Sequence, residues 1–65
     1  MKVKIGDVIK TKYDPVHLYR VVSVEYISYG RIDVVDATEV NWRSRSIGVG
    51  IPVEWVQEII ESEEG

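Results

Sequence analysis

Twenty of the 65 residues are Val or Ile, whereas the chain has one Leu and one Ala. β-Branched side chains have few χ1 rotamers, which disfavours them in helices and suits the pleated surface of a sheet. A helical domain of this length would use Leu, Ala and Glu as its main helix formers. The imbalance therefore predicts an all-β fold and leaves the function to be argued from the surface.

The length of the chain predicts one domain. A chain of this size buries only about 60% of its unfolded surface, so its stability depends on efficient packing or on a partner. The absence of Cys excludes disulfides and thiolate metal sites. No apolar run has the length of a signal peptide or of the ~18-residue apolar segment that spans a membrane. We therefore expect a cytoplasmic location and no membrane partner.

The acidic residues are concentrated at the C-terminal end. The net charge is −3, yet residues 54–65 hold five Glu and no Lys or Arg, which leaves eight basic and six acidic groups, or +2, on residues 1–53. We expect a domain over residues 1–60 and an acidic tail over residues 61–65. Such a tail keeps a small protein soluble, or alternatively docks on a basic partner.

Turn residues divide the chain into short segments that alternate as strands do. Gly6-Asp7, Asp14-Pro15 and Gly30 supply turns, and the imperfect alternation at Val21-Val22 predicts a bulge or burial on both faces. Short strands at this spacing are typical of a small barrel or sandwich, and a barrel removes exposed edges. The predicted strands cover residues 2–5, 8–12, 18–27, 31–36 and 40–49. Residues 51–60 fit either a helix that starts at Pro52 or a single short turn followed by a closing strand.

Two segments resemble a known superfold. The sequence Gly-Ile-Pro-Val-Glu-Trp-Val-Gln-Glu-Ile over residues 50–59 resembles the end of a Src-homology-3 domain. The Gly6-Asp7-Val8 sequence is similar to the start of KOW and other Src-homology-3-like barrels. The resemblance implies a five-stranded antiparallel barrel with one short helical turn, Pro52 to Trp55, before the last strand. It also implies that Pro52 and Trp55 lie where the family places ligand contacts.

The chain departs from the peptide-binding members of that superfold. Their Ala-Leu-Tyr-Asp-Tyr segment has only a distant echo here in Tyr13-Asp14, and their tandem Trp pair is missing. Trp42 lies instead in the polar part of a later predicted strand. These departures argue against recognition of polyproline.

The segment Trp42-Arg43-Ser44-Arg45-Ser46 is the first candidate binding site. On a strand, Arg43 and Arg45 would share one face and Trp42 would lie on the other. Arg binds phosphate or carboxylate through two bonds, and an exposed Trp beside it suits a nucleobase or a protein hot spot. In the alternative, Trp42 folds onto the barrel and the arginines pair with acidic residues across the hairpin, namely Asp33, Asp36 or Glu39.

The other candidate sites are an aromatic surface and a basic set. Tyr13, Tyr29 and Trp55 could bind a peptide or a base, although some aromatics must fill a core that has no Phe. Basic side chains on outer strand faces could contact phosphates, or could simply protect strand edges. This basic set comprises Lys2, Lys4, Lys10, Lys12, Arg20 and Arg31.

No motif indicates catalysis or metal binding. His17 is the only His, and its pairing with Asp14 is a weak signal for a metal. The acidic residues lack calcium-loop spacing, and there is no Gly-x-Ser-x-Gly elbow. We therefore expect no enzyme activity, no catalytic residues, no metal and no cofactor.

These observations predict a small non-catalytic binding module. The expected partner is another protein, bound through Trp42, Arg43, Arg45 and the loop aromatics, either by strand addition or by docking of an aromatic side chain. Nucleic-acid binding in the manner of KOW barrels is the first alternative. A structural subunit that assembles with its own copies is the second alternative.

Overall fold

A computed structural model of the chain describes residues 2–45 and 47–62. The fold is all-β, as predicted, with five antiparallel strands and three single 3₁₀ turns. Within the described part of the chain, no helix has the length and apolarity needed to cross a membrane. The strands are β1 (Val8–Thr11), β2 (Leu18–Ser23), β3 (Arg31–Asp36), β4 (Val49–Pro52) and β5 (Val56–Glu61), and the 3₁₀ turns are Ile27–Tyr29, Trp42–Ser44 and Val53–Trp55.

The strands form one sheet in the order β4-β3-β2-β1-β5. Every neighbouring pair is antiparallel, including the first and last strands of the chain, β1 and β5. This order places β4 and β5 at the two edges. The predicted number of strands is confirmed, and closure of the sheet into a barrel stays a prediction.

One face of the sheet carries the main core, and β-branched side chains fill it. Ile9, Val21, Ile32 and Val34 have no exposed surface. They stand on the three central strands, where stiff branched side chains pack well. The inward positions predicted for Ile32 and Val34 are thus confirmed. The same cluster includes Val3, Ile51 and Val56, with Tyr19, Val24, Val53, Trp55 and Ile59 packed against it.

The opposite face is covered in part. Arg20 pairs in register with Val8 on one side and Val35 on the other, so these three side chains form a row across β1, β2 and β3. Val8 and Val35 are buried although neither belongs to the main cluster. The Arg20 guanidinium lies over the Trp42 ring, which places the Trp42–Ser44 turn on this face. The connection from β3 to β4 therefore covers this face.

The predicted strand over residues 2–5 is wrong. The Asp7 side chain accepts a hydrogen bond from the Lys4 backbone N–H, and the Asp7 N–H donates to the Lys4 carbonyl. Gly6 sits between them at φ +95°, so the predicted turn is confirmed. This tight loop ends any extended pairing before β1. Val3 is buried as expected, but Ile5 is about half exposed rather than inward.

The predicted strand over residues 18–27 is too long, because β2 ends at Ser23. A register shift between Val21 and Ser23 confirms the predicted bulge. The chain then enters the Ile27–Tyr29 turn, which Gly30 closes in the left-handed conformation at φ +76°. Bulge and turn together direct the chain back into β3.

The predicted strand over residues 40–49 is also wrong, because a 3₁₀ turn and an irregular connection precede β4. The segment after Pro52, by contrast, forms a single 3₁₀ turn followed by a closing strand, as predicted. Glu61 is the last residue of β5, and residues 63–65 of the expected tail lie outside the described residues. The acidic tail therefore stays a prediction.

Candidate functional site

Two aromatic residues of the predicted binding surface, Tyr13 and Trp55, are in contact. The rings of Tyr13 and Trp55 lie edge to face, with centroids 5.0 Å apart and planes 69° apart. The Lys12 backbone N–H donates to the Trp55 carbonyl at 2.9 Å, which joins the β1–β2 connection to the 3₁₀ turn before β5. Tyr13 is 72% exposed, whereas Trp55 packs partly against the core. The pair is therefore a firmly based aromatic surface.

The third aromatic residue of the predicted surface, Tyr29, lines a shallow groove. The groove, called here the Tyr29 groove, has a volume of about 300 Å³. The Val53 N–H donates to the Gly30 carbonyl at 2.7 Å, which holds the two walls together. The 3₁₀ turn Val53–Trp55 thus contributes Val53 and Glu54 to the groove and Trp55 to the aromatic pair. The lining residues are Tyr29, Gly30, Arg31, Pro52, Val53 and Glu54.

The loop that carries Tyr13 is held by one predicted turn and by side-chain contacts of Asp14 and His17 that were not predicted. The His17 N–H donates to the Asp14 carbonyl at 3.3 Å, which confirms the predicted Asp-Pro turn. The Tyr19 hydroxyl donates to the Asp14 carboxylate at 3.0 Å. The His17 ring stacks on Tyr19 at 4.8 Å, and its Nε2 lies 3.0 Å from Asp36 Oδ2. These contacts anchor the loop to β2 and β3.

Two ionisable groups in this anchor have shifted pKa values. Hydrogen bonding to the Asp14 carboxylate, followed by burial, raises the pKa of Tyr19 above its usual value. The Thr38 hydroxyl and backbone N–H both donate to Asp36 Oδ1, and these bonds lower the pKa of Asp36. An Asp two residues before a Thr is a turn signal, and it could have revealed the contact between Asp36 and Thr38.

Trp42 is buried in a 3₁₀ turn, whereas the predicted binding site requires it to be exposed on a strand. The residue is only 9% exposed, and two guanidinium groups lie over its ring, that of Arg43 at 4.6 Å and that of Arg20 at 5.2 Å from the centroid. Arg45 Nη1 is 3.2 Å from Glu39 Oε2, which matches the alternative interpretation. The predicted exposed indole is therefore not found, and Ser46 lies outside the described residues. A binding role for Trp42, Arg43 and Arg45 stays a prediction.

The predicted basic set is spread over several elements. Lys2 and Lys4 precede the sheet, whereas Lys10 is on β1 and Lys12 follows it. Arg31 is on β3, and β2 lies between β3 and β1. Arg20 donates to the Gly6 carbonyl and Arg31 to the Gly50 carbonyl. The structure thus uses two of the six basic side chains in internal contacts.

Within residues 2–45 and 47–62, no group of three or more His, Asp or Glu side chains is arranged to hold a metal ion.

Comparisons with protein-family models, curated proteins and solved structures found no match to this chain. The interpretation of the site therefore depends on its geometry.

Proposed function

We propose that the chain is a Src-homology-3-like barrel that acts as a non-catalytic binding module for another protein. The proposed binding surface consists of the Tyr13–Trp55 pair and the adjoining Tyr29 groove. The observation that supports it most directly is the edge-to-face contact of Tyr13 with Trp55 at 5.0 Å on the surface. An exposed Tyr on a firm aromatic base suits a protein hot spot, because its side chain offers contact area with little entropy to lose.

The surface suits an extended peptide segment. The 3₁₀ turn before β5 contributes Trp55 to the aromatic pair and Val53 to the Tyr29 groove. A shallow groove of about 300 Å³ accommodates side chains of a peptide rather than enclosing a small ligand, whose pockets bury most of the ligand surface. The proposed partner is therefore a peptide segment with aliphatic or aromatic side chains.

Docking on this surface is favoured over addition of a strand to the sheet. At the β4 edge, the Gly50 carbonyl already accepts the Arg31 guanidinium, and Pro52 has no N–H to offer. At the β5 edge, two register shifts interrupt the pairing with β1, and Glu58 and Glu61 add charge. Bulges, Pro and charged side chains are the devices by which proteins protect edge strands.

A protein partner is favoured over nucleic acid. In the Tyr29 groove the charge of Glu54 offsets that of Arg31, and Trp42 is too buried to stack on a base. Sequence-independent binding of nucleic acid needs several Lys or Arg on one face. Of the six candidate basic residues, Arg20 and Arg31 already donate to backbone carbonyls, those of Gly6 and Gly50.

The experiment is a selection of random peptides displayed on phage against the immobilised full chain. Enriched peptides are synthesised and titrated by calorimetry into the wild type and the Tyr13→Ala, Tyr29→Ala and Tyr26→Ala variants. We expect Tyr13→Ala and Tyr29→Ala to weaken binding by roughly tenfold or more, as removal of a hot-spot aromatic does. Tyr26→Ala is the matched control, because Tyr26 is exposed but does not line the Tyr29 groove.

Equal affinities for all four proteins would contradict the proposed surface. A selection without enrichment would contradict peptide binding as such. Labelled single- and double-stranded DNA and RNA are titrated in parallel at several salt concentrations. Binding that falls steeply with salt and survives Tyr13→Ala would support the nucleic-acid alternative.

A further inference from the structure

Arg31 lines the Tyr29 groove, and contacts at both ends of the residue fix its position. Its backbone N–H donates to the Tyr26 carbonyl at 3.2 Å, and it is paired in register with Pro52 across β3 and β4. At the other end of the residue, Nη2 of the guanidinium donates to the Gly50 carbonyl at 3.2 Å. Backbone and side chain of Arg31 are thus both anchored in the wall of the groove.

Gly50 provides the space in which this guanidinium lies. A Cβ at Gly50 would be 3.0 Å from Arg31 Nη2 and 3.7 Å from Cζ. Any side chain at this position would therefore crowd the end of the Arg31 side chain. A guanidinium that is already in position loses less conformational entropy when a ligand arrives, which favours binding.

The Arg31 guanidinium retains donors for a ligand. Among the residues that the structure describes, no ion pair involves Arg31. The bond to Gly50 uses one of the several N–H donors of a guanidinium. The next acidic residue along β3, Asp33, lines a different groove together with Arg45. The charge of Arg31 can therefore act on a ligand in the Tyr29 groove.

The other charged residue of the Tyr29 groove limits where a negative charge can bind. Glu54 belongs to the 3₁₀ turn that forms one wall, whereas Arg31 is on β3. A carboxylate beside Arg31 gains charge-assisted hydrogen bonds, but a row of negative charges along the groove would also face Glu54. The groove therefore suits one acidic side chain at one position and not a polyanion.

We propose that the peptide bound in the Tyr29 groove carries an Asp or Glu side chain, which the Arg31 guanidinium binds through charge-assisted hydrogen bonds. This inference rests on the proposed function, because it names the chemistry of the peptide that this surface selects. Arg31 then determines specificity, since its planar guanidinium matches the geometry of a carboxylate. Gly50 acts as a positioning residue, because it leaves room for the guanidinium.

The experiment uses the peptides enriched by the phage selection, synthesised with amidated C-termini so that only a side chain can supply the carboxylate. We expect Asp or Glu at one position of the enriched sequences. Each peptide is compared by calorimetry with a neutral counterpart, in which Asn or Gln replaces that acidic residue. The replacement should weaken binding to the wild type by roughly fivefold, but should change binding to Arg31→Gln by less than about twofold.

Two further variants separate recognition of the charge from effects on folding. Gly50→Ala should reduce the preference for the acidic peptide, because the added Cβ crowds the Arg31 guanidinium. Its affinity for the neutral counterpart should stay at the wild-type value, which shows that the surface itself is intact. Lys2→Gln is the matched control, since it also removes one positive charge but changes an exposed residue that does not line the groove. This variant should keep the full preference.

The outcomes distinguish this inference from the function on which it rests. Enriched peptides without an acidic residue would overturn the inference and leave peptide binding established. The same would follow if the neutral replacement weakened binding equally in the wild type and in Arg31→Gln. An unchanged preference in Gly50→Ala would show that Gly50 does not position the guanidinium. A selection that enriches no peptide would overturn the proposed function and this inference together.

Discussion

The Ser62 hydroxyl donates to Asp7 Oδ1 at 2.9 Å, across 55 positions of the sequence. Asp7 has no exposed surface, and its other carboxylate oxygen accepts the Lys4 backbone N–H at 2.9 Å. One buried carboxylate thus joins the segment before β1 to the residue after β5. The Asp7 carboxylate accepts both bonds, and a carboxylate is costly to bury without hydrogen-bond partners.

We expect removal of this carboxylate to destabilise the fold. Asp7→Ala should lower the free energy of unfolding by about 1–3 kcal/mol, because it leaves the Lys4 N–H without its acceptor. Ser62→Ala should cost about 0.5–1.5 kcal/mol, and the two losses should not add, since both variants break the same bond. Urea unfolding of both single variants and the double variant measures these values. Strict additivity would show that the Asp7–Ser62 bond does not contribute to stability.

Trp42 should behave as a core residue. Trp42→Ala should lower the free energy of unfolding by about 3–5 kcal/mol, as expected for truncation of a buried aromatic ring. Arg43→Ala removes one of the two guanidiniums beside the indole and should cost about 0.5–1 kcal/mol. Denaturant unfolding followed by Trp fluorescence measures both. A change of less than about 0.5 kcal/mol in Trp42→Ala would place the indole on the surface instead.

The sequence predicted those elements whose signals are local. The strand over residues 31–36 follows a Gly that takes a left-handed conformation and precedes a turn, and its Ile32 and Val34 alternate with Arg31 and Asp33. The helical turn after Pro52 likewise depends on local features, because proline fixes φ at a value suited to the start of a turn.

The elements that could not be predicted depend on distant partners. Residues 40–49 are predicted to form a polar strand that becomes apolar at Ile47 and Val49, but residues 42–44 form a 3₁₀ turn in which the Trp42 ring lies under the Arg20 guanidinium. The alternation over residues 2–5 is similarly overridden by the Asp7 side chain. For the candidate site, the sequence named Tyr13, Tyr29 and Trp55, but only the fold shows that Tyr13 meets Trp55.

Gly48 and Gly30 should respond differently to substitution. At Gly48, Ala should cost about 1–3 kcal/mol and Asn more, because a Cβ there would lie 2.8 Å from the Val34 carbonyl oxygen. At Gly30 no atom lies within 4 Å of a Cβ, but φ is +76°, so Ala should cost roughly 1–2 kcal/mol and Asn less. Thermal or urea unfolding of the four variants tests this opposite order. The same order at both positions would contradict the explanation.

Tyr19 provides a test of the contacts that hold the Tyr13 loop. Its hydroxyl donates to the Asp14 carboxylate, which raises the pKa of Tyr19 above the usual value of 10.0. A pKa raised in the folded state means that the folded chain holds the proton more tightly than the unfolded chain. The contribution of Tyr19 to stability is therefore complete below pH 10 and is lost as the pH rises through the folded-state pKa.

Titration of phenolate absorbance in the native protein measures this shift. We expect one step above the ordinary pKa of Tyr, which Tyr19→Phe removes. Asp14→Asn should move the same step to lower pH, because the carboxylate that holds the proton is gone. An unchanged titration curve in Asp14→Asn would show that Asp14 does not anchor the loop through Tyr19. If both variants lose the high-pH step and Tyr13 still contacts Trp55, the aromatic pair does not depend on Tyr19. The hydrogen bond from the Lys12 N–H to the Trp55 carbonyl then holds the pair in place.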